Sequence, residues 1–180
     1  MKKTLILLLL VLLCVVPSFA ADNAIKVTGI PYAFQVTTSS ADGVDDVVSN
    51  YGLGAEVTYQ RSIGKGFYLE AGVGNSCLFL EDDRPVFVDV LAFTGAGYSR
   101  SLGGKFSLDA HADLGADVLF YDGECSTNFT LKAGAGLLYS LRDDLDLAFG
   151  LEGTVGLAEE SDADYVNYRI YPVVGVSYEF

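Results

Sequence analysis

The sequence predicts an all-β fold, an eight-stranded antiparallel up-and-down transmembrane β-barrel preceded by a cleaved signal peptide. Three observations carry that prediction. The first is Phe106 to Phe120, fifteen residues in which Phe106, Leu108, Ala110, Ala112, Leu114, Ala116, Val118 and Phe120 alternate with Ser107, Asp109, His111, Asp113, Gly115 and Asp117, Leu119 alone departing from the pattern. An extended chain sends these two sets to opposite faces, whereas a helix would mix them. Such a strand is much longer than the five or six residues usual in a soluble sheet, and it is long enough to cross a bilayer while tilted. The second is an internal repeat: Tyr59, Tyr98, Tyr139 and Tyr178 open related segments spaced 39, 41 and 39 residues apart, the length of a hairpin of two long strands with its turn and loop. The third is that charged residues and most glycines share one parity along the well-patterned strands while most Leu, Val, Phe and Tyr share the other. That is the alternation of a wall with hydrocarbon outside and a polar lumen inside.

Taken in order, the chain begins Met-Lys-Lys-Thr, continues through an unbroken apolar run from Leu5 to Val16 and reaches Pro-Ser-Phe-Ala-Ala. A charged start, a short greasy segment and a small-x-small site make residues 1–20 a signal peptide cut after Ala20, too short to serve as a membrane anchor. Lipidation at Cys14 is disfavoured by the bulky Leu12 and Leu13 before it. Residues 21–180 then form a single barrel domain. Removing Lys2 and Lys3 takes the formal charge from -13 to -15, an acidic balance that argues against nucleic acid as a partner.

The expected strands are 24–36, 51–60, 67–78, 86–99, 105–120, 128–141, 145–157 and 165–180. The first is the least regular, because Pro31 interrupts it and marks a bulge or bend. Outward rows carry Tyr51, Leu53, Val57, Phe67, Leu69, Val73, Val88, Val90, Leu131, Leu137, Phe149, Leu151 and Ile170. Inward rows carry Glu56, Glu70, Asp89, Lys132, Asp146, Glu152, Arg169 and Glu179. A slip of one residue would turn those charges into lipid, so the register is strongly specified. Twelve glycines from Gly52 to Gly175 fall on the inward parity, where a narrow barrel needs room, and Tyr68, Phe93 and Tyr171 are the side chains expected to fill it. Connections near 62–66, 100–104 and 142–144 are short, whereas those at 37–50, 79–85, 121–127 and 158–164 are mostly longer. This asymmetry is that of periplasmic turns and extracellular loops.

The chain ends Val-Val-Gly-Val-Ser-Tyr-Glu-Phe, which places Val174, Val176, Tyr178 and Phe180 on the outward face and an aromatic last. This resembles the terminal signature of bacterial outer-membrane barrels, and the exported chain as a whole is similar to the small eight-stranded family of OmpX, OmpW and the OmpA membrane domain. The resemblance implies a monomer in the bacterial outer membrane, contact with outer-membrane lipid, and a C-terminal signal read by the barrel assembly machinery.

Charge is segregated along the barrel axis. The loops hold Asp42, Asp45, Asp46, Glu81, Asp82, Asp83, Asp122, Glu124, Glu159, Glu160, Asp162 and Asp164 against a single base, Arg84, while the turns hold Arg61, Lys65, Arg100, Lys105 and Arg142. An acidic rim suits divalent cations or a basic surface partner, with Glu81, Asp82 and Asp83 the densest group; none of these runs has the spacing of a calcium loop, and a solvated surface explains them as well. Inside, nine acids face two clear bases. Asp113, Lys132 and Glu152 lie at similar depth, so with Arg169 they are expected to form a lumen salt-bridge cluster that plugs the barrel, or less readily gates it. His111, between Asp109 and Asp113, reads as a hydrogen-bonding lumen residue rather than a metal ligand. Cys77 and Cys125 both fall near the loop end, where a disulfide is possible in an oxidising compartment. No nucleophile, base and orienter converge, so the chain is not expected to be an enzyme, and nothing calls for a cofactor. The functional expectation is a structural or surface-interaction role through the acidic loops. A narrow pore for small solutes or ions is the alternative, and a secreted, soluble, lipocalin-like carrier a third reading, one that would require an apolar interior.

Overall fold

The computed structural model describes residues 22–41, 44–79, 85–121, 124–160 and 163–180; residues 1–20, expected to be a signal peptide, and Glu81, Asp82 and Asp83 lie outside them. Eight strands follow one another: β1 (Asn23–Ala41), β2 (Val44–Gly64), β3 (Phe67–Phe79), β4 (Pro85–Gly103), β5 (Phe106–Tyr121), β6 (Glu124–Arg142), β7 (Leu145–Glu160) and β8 (Ala163–Glu179). Each pairs antiparallel with the next, and β8 returns to β1 to close the barrel. The last residue completes the closure: the Phe180 amide donates to the Asn23 carbonyl at 2.8 Å.

Several strands run past their expected ends on the loop side, most clearly β2, which begins at Val44 rather than 51. The physical reason is that alternation of polarity is written only where one face meets hydrocarbon. A backbone ladder needs no such alternation, so a strand can continue where its sequence shows no period-two pattern. On the other side the turns are tight. Between β2 and β3, Lys65 (φ 57°) and Gly66 (φ 83°) are both left-handed, the turn geometry whose twist matches that of the flanking strands.

Pro31 lies where β1 changes parity. Ile30 pairs with Gly54 and Ala33 with Gly52, so Pro31 and Tyr32 together stand opposite Leu53 alone. This bulge flips the pattern: Lys26, Thr28 and Ile30 face in below it, Ala33 and Gln35 above it. Pro172 of β8 faces the same break in the β1–β8 ladder, so both prolines sit where their missing N–H groups cost no ladder bond.

The wall is apolar outside. Leu53, Val57, Leu69, Val73, Leu114, Leu131, Leu151 and Ile170 are among its large exposed side chains, a belt that only hydrocarbon would cover. Aromatic rings border it at both ends. At the turn end Phe67 packs on Tyr98 (centroids 4.8 Å apart) and Phe106 on Tyr139 (5.1 Å); at the loop end Tyr51 lies between Tyr32 (6.5 Å) and Phe79 (6.0 Å). The tyrosines of the internal repeat are thus one rung of an aromatic girdle.

The interior is packed by alternating bulk with glycine around the circumference. One rung reads Tyr68, Gly97, His111, Gly134, Glu152, Tyr171 across β3 to β8, and another reads Gly72, Phe93, Gly115, Thr130, Gly156 across β3 to β7. Tyr68, Phe93 and Tyr171 are all buried. A Cβ on Gly97 would collide with the Tyr68 ring, and one on Gly72 with that of Phe93. Gly97→Ala is therefore expected to destabilise the barrel by about 1–3 kcal/mol, the usual cost of overpacking, read as a lower urea midpoint for loss of the compact, fast-migrating form on unheated gels. A midpoint unchanged from wild type would show that the interior is looser than this packing implies.

Buried Glu56, Glu70, Asp89, Asp109, Asp113, Asp117 and Glu152 all point inward. An apolar-centred soluble carrier is the reverse of this arrangement.

Candidate functional site

The lumen holds three ionic layers, each centred on one base. In the middle, the Lys132 ammonium on β6 lies between Glu56 of β2, with which it makes a close ion pair, and Glu152 of β7, whose Oε2 is 2.7 Å away. The Tyr171 hydroxyl donates to Glu56 Oε1 at 3.1 Å, and the ammonium sits 4.0 Å above the centre of the Phe93 ring. All three charged side chains are less than 5% exposed. Desolvated charges of this kind persist only when paired and hydrogen-bonded.

Toward the loops, Arg169 of β8 ion-pairs closely with Asp89 of β4. It donates to Ser76 Oγ (3.1 Å) and through Nε and Nη2 to Gln35 Oε1 (3.1 and 2.8 Å), and Nη2 lies 3.8 Å from Asp117 Oδ2. Ser76 in turn donates to Asp89 Oδ1 from both its amide (2.7 Å) and its hydroxyl (2.5 Å). This fork ties β1, β3, β4, β5 and β8 together with the geometric specificity that guanidinium allows. Toward the turns, Lys26 Nζ lies 3.3 Å from Asp109 Oδ2, whose other oxygen accepts the Tyr68 hydroxyl at 2.8 Å. Below that layer a recess of about 240 Å³ opens among Asp22, Gln60, Tyr68, Asp109, Asp146 and Glu179.

The expected cluster is therefore divided. Lys132 and Glu152 meet, but Arg169 belongs to the loop-side layer. Asp113, although directly opposite Lys132 in the β5–β6 ladder, makes no ion pair with it. Barrel shear is the reason: strands tilt, so the groups that converge on the axis are not those that are level along the ladder. Glu56 reaches Lys132 across the barrel from β2, a contact for which the sequence has no signal. Lys26, the third base, was missed because the bulge at Pro31 hides the parity of β1. Its signal was present in the alternation of Lys26 and Thr28 with the outward Ile25 and Val27.

Two other expectations are corrected. Cys77 and Cys125 are both free thiols; they lie on β3 and β6 with two strands between them, about 14 Å apart at sheet spacing and beyond the reach of a disulfide. His111 is not a hydrogen-bonding residue among the described groups, since neither ring nitrogen has a partner. At the C-terminus, Val174, Val176, Tyr178 and Phe180 do stand on the outer wall, all at least 40% exposed, with Tyr178 and Phe180 stacked at 6.4 Å.

A closed eight-stranded antiparallel wall, apolar outside, ionic inside and ringed twice by aromatic residues, is the arrangement of a membrane-spanning barrel. This is the fold of the small outer-membrane β-barrels. The chain is similar to Neisserial surface protein A, with a TM-score of 0.60 at 15% identity over 87% of this chain and 99% of that one. It is similar also to the outer-membrane protein OprG from Pseudomonas aeruginosa (TM-score 0.53, 12% identity, 89% and 96% covered) and to the outer-membrane protease OmpT from Escherichia coli (0.50, 8% identity, 91% and 98% covered). No protein-family profile and no curated protein matches the chain. Identities this low carry the outer-membrane barrel architecture and leave the activity to be argued from this barrel's own lumen and surface.

Proposed function

We propose that the chain is a monomeric integral protein of the bacterial outer membrane, non-catalytic, whose lumen is plugged and whose work is done by its acidic loops in structural or surface interactions. The observation that supports this most directly is the stacking of three ionic layers along the axis. Arg169, Lys132 and Lys26 each bridge acids from different strands, and an eight-stranded interior is just wide enough for side chains to fill. A wall that conducts nothing leaves its exposed ends as the part that can act. On this reading the acidic loops meet divalent cations or a basic partner, the outer belt meets lipid, and Val174, Val176, Tyr178 and Phe180 present the assembly signal to the barrel assembly machinery. No catalytic step belongs to it: the one histidine faces carboxylates rather than a nucleophile it could activate.

Conductance tests the plug. The purified barrel in a planar bilayer is expected to show no steady channel current. Discrete openings whose size changes with Lys132→Gln would favour the narrow-pore reading instead, because only ions passing the middle layer would sense that residue.

A further inference from the structure

Pairing the lumen charges leaves a remainder. Lys26 serves Asp109, Lys132 serves Glu56 and Glu152, and Arg169 serves Asp89 and Asp117. Among the described residues Glu70 and Asp113 are buried with no lysine or arginine paired to them, and they are not apart: their strands flank β4, where Gly95 is level with both in the two ladders. A Cβ on Gly95 would strike Asp113 Oδ1. The missing side chain lets the two carboxylates meet over β4. His111 joins them one inward position along β5, held in the space left by Gly134, where a Cβ would lie 2.7 Å from Nε2.

The donor atoms of Glu70, His111 and Asp113 lie within 4.8 Å of one another. Two of the three residues are also idle: both nitrogens of His111 and both carboxylate oxygens of Asp113 are buried without a hydrogen-bond partner, on side chains 5% and 0% exposed, while one oxygen of Glu70 accepts from Gln60 Nε2 at 2.9 Å. His111 Nε2 points among carboxylates, 3.9 Å from Asp113 Oδ2 and 3.8 Å from Glu152 Oε1, too far for a hydrogen bond to either. Unsatisfied groups at this density are costly unless something supplies what they lack.

The geometry points to a divalent transition-metal site in the barrel lumen, with Glu70, His111 and Asp113 as ligands and zinc as the ion that fits best. Two carboxylates and a dication are neutral together, which is what a buried site without a base needs. An imidazole with two carboxylates suits zinc-like ions; calcium and magnesium prefer all-oxygen shells of six or more. Glu152, held by Lys132, lies 3.8 Å from the same Nε2 that faces Asp113 and adds negative charge beside the site. The approach is from the turn end. The acidic recess leads to the Tyr68–Asp109 layer, and a cavity of about 10 Å³ beyond it touches Lys26, Asp109, His111 and Glu152, room for about one water.

The test is calorimetric titration of the full-length barrel in detergent with Zn2+, followed by X-ray absorption at the zinc edge. One zinc per chain is expected, with N/O ligands at about 2.0–2.1 Å and the outer-shell scattering of a single imidazole; excess Ca2+ should not displace it. His111→Asn and Asp113→Asn should each weaken binding more than about 100-fold, beyond the 10- to 100-fold typical of outer-shell losses, while their fast-migrating unheated form shows them folded. The triple variant Glu81→Gln, Asp82→Asn, Asp83→Asn should bind as wild type. Absence of stoichiometric binding, a zinc edge without imidazole, or loss of the site in the triple loop variant would each overturn the assignment. The edge spectrum of the wild type decides the matter even if a lumen variant fails to fold.

Discussion

Lys132→Met is expected to destabilise the barrel by about 3–5 kcal/mol, the cost of removing one partner from a buried ionic group and leaving the others uncompensated. The side chain itself is nearly volume-conserving, so packing against Phe93 is kept and the loss is electrostatic. Glu56 and Glu152, both buried, would then face each other across the lumen with only Tyr171 donating to Glu56. Urea unfolding in lipid vesicles, followed by gel mobility without heating, measures the change. The triple variant Lys132→Met, Glu56→Gln, Glu152→Gln should recover most of it, because the penalty belongs to the unpaired charges and not to the absence of a bridge. A loss below about 1 kcal/mol in the single variant, the range of solvated surface pairs, would mean that water reaches the middle layer. The plugged reading would then yield to the pore.

Leu151→Arg tests the other face. Leu151 lies near the middle of β7, 53% exposed on the outer wall, back to back with Glu152 of the lumen. An arginine facing hydrocarbon at the midplane costs about 2–4 kcal/mol, falling to about 0–1 kcal/mol near the interfaces. The same substitution at Leu157, farther along β7 toward the loops and also outward, should therefore cost much less. The comparison is the informative quantity: a soluble protein would show no such gradient with height. Equal effects at the two positions would remove the bilayer from the interpretation.

Much of this architecture was legible along the chain because a membrane barrel writes its environment at period two. From Phe106 to Phe120 every outward position meets one solvent and every inward position another, so side and register can be read without a partner strand. The inward glycines were legible as well, since a narrow lumen admits bulk on one strand only where its neighbour has none, as Tyr68 does beside Gly97. Beyond the apolar belt the signal stops, and β2 extends past its expected start with nothing in its pattern to announce it. At Pro31 the bulge inverts the alternation, and this concealed Lys26, whose pairing with Asp109 completes the turn-side layer.

The sequence by itself determined the class of fold, the number of strands and, outside β1, most of the residues that are enclosed, because those follow from local alternation and from the spacing of turns. Only the tertiary structure decided who meets whom inside. Arg169 went to Asp89 rather than to the Lys132 group, Glu56 crossed the lumen to Lys132, and Glu70 joined His111 and Asp113 over the bare backbone of Gly95. Those choices depend on strand tilt and on closure of β8 against β1, which bring together side chains far apart in the chain at heights that counting from the turns does not give.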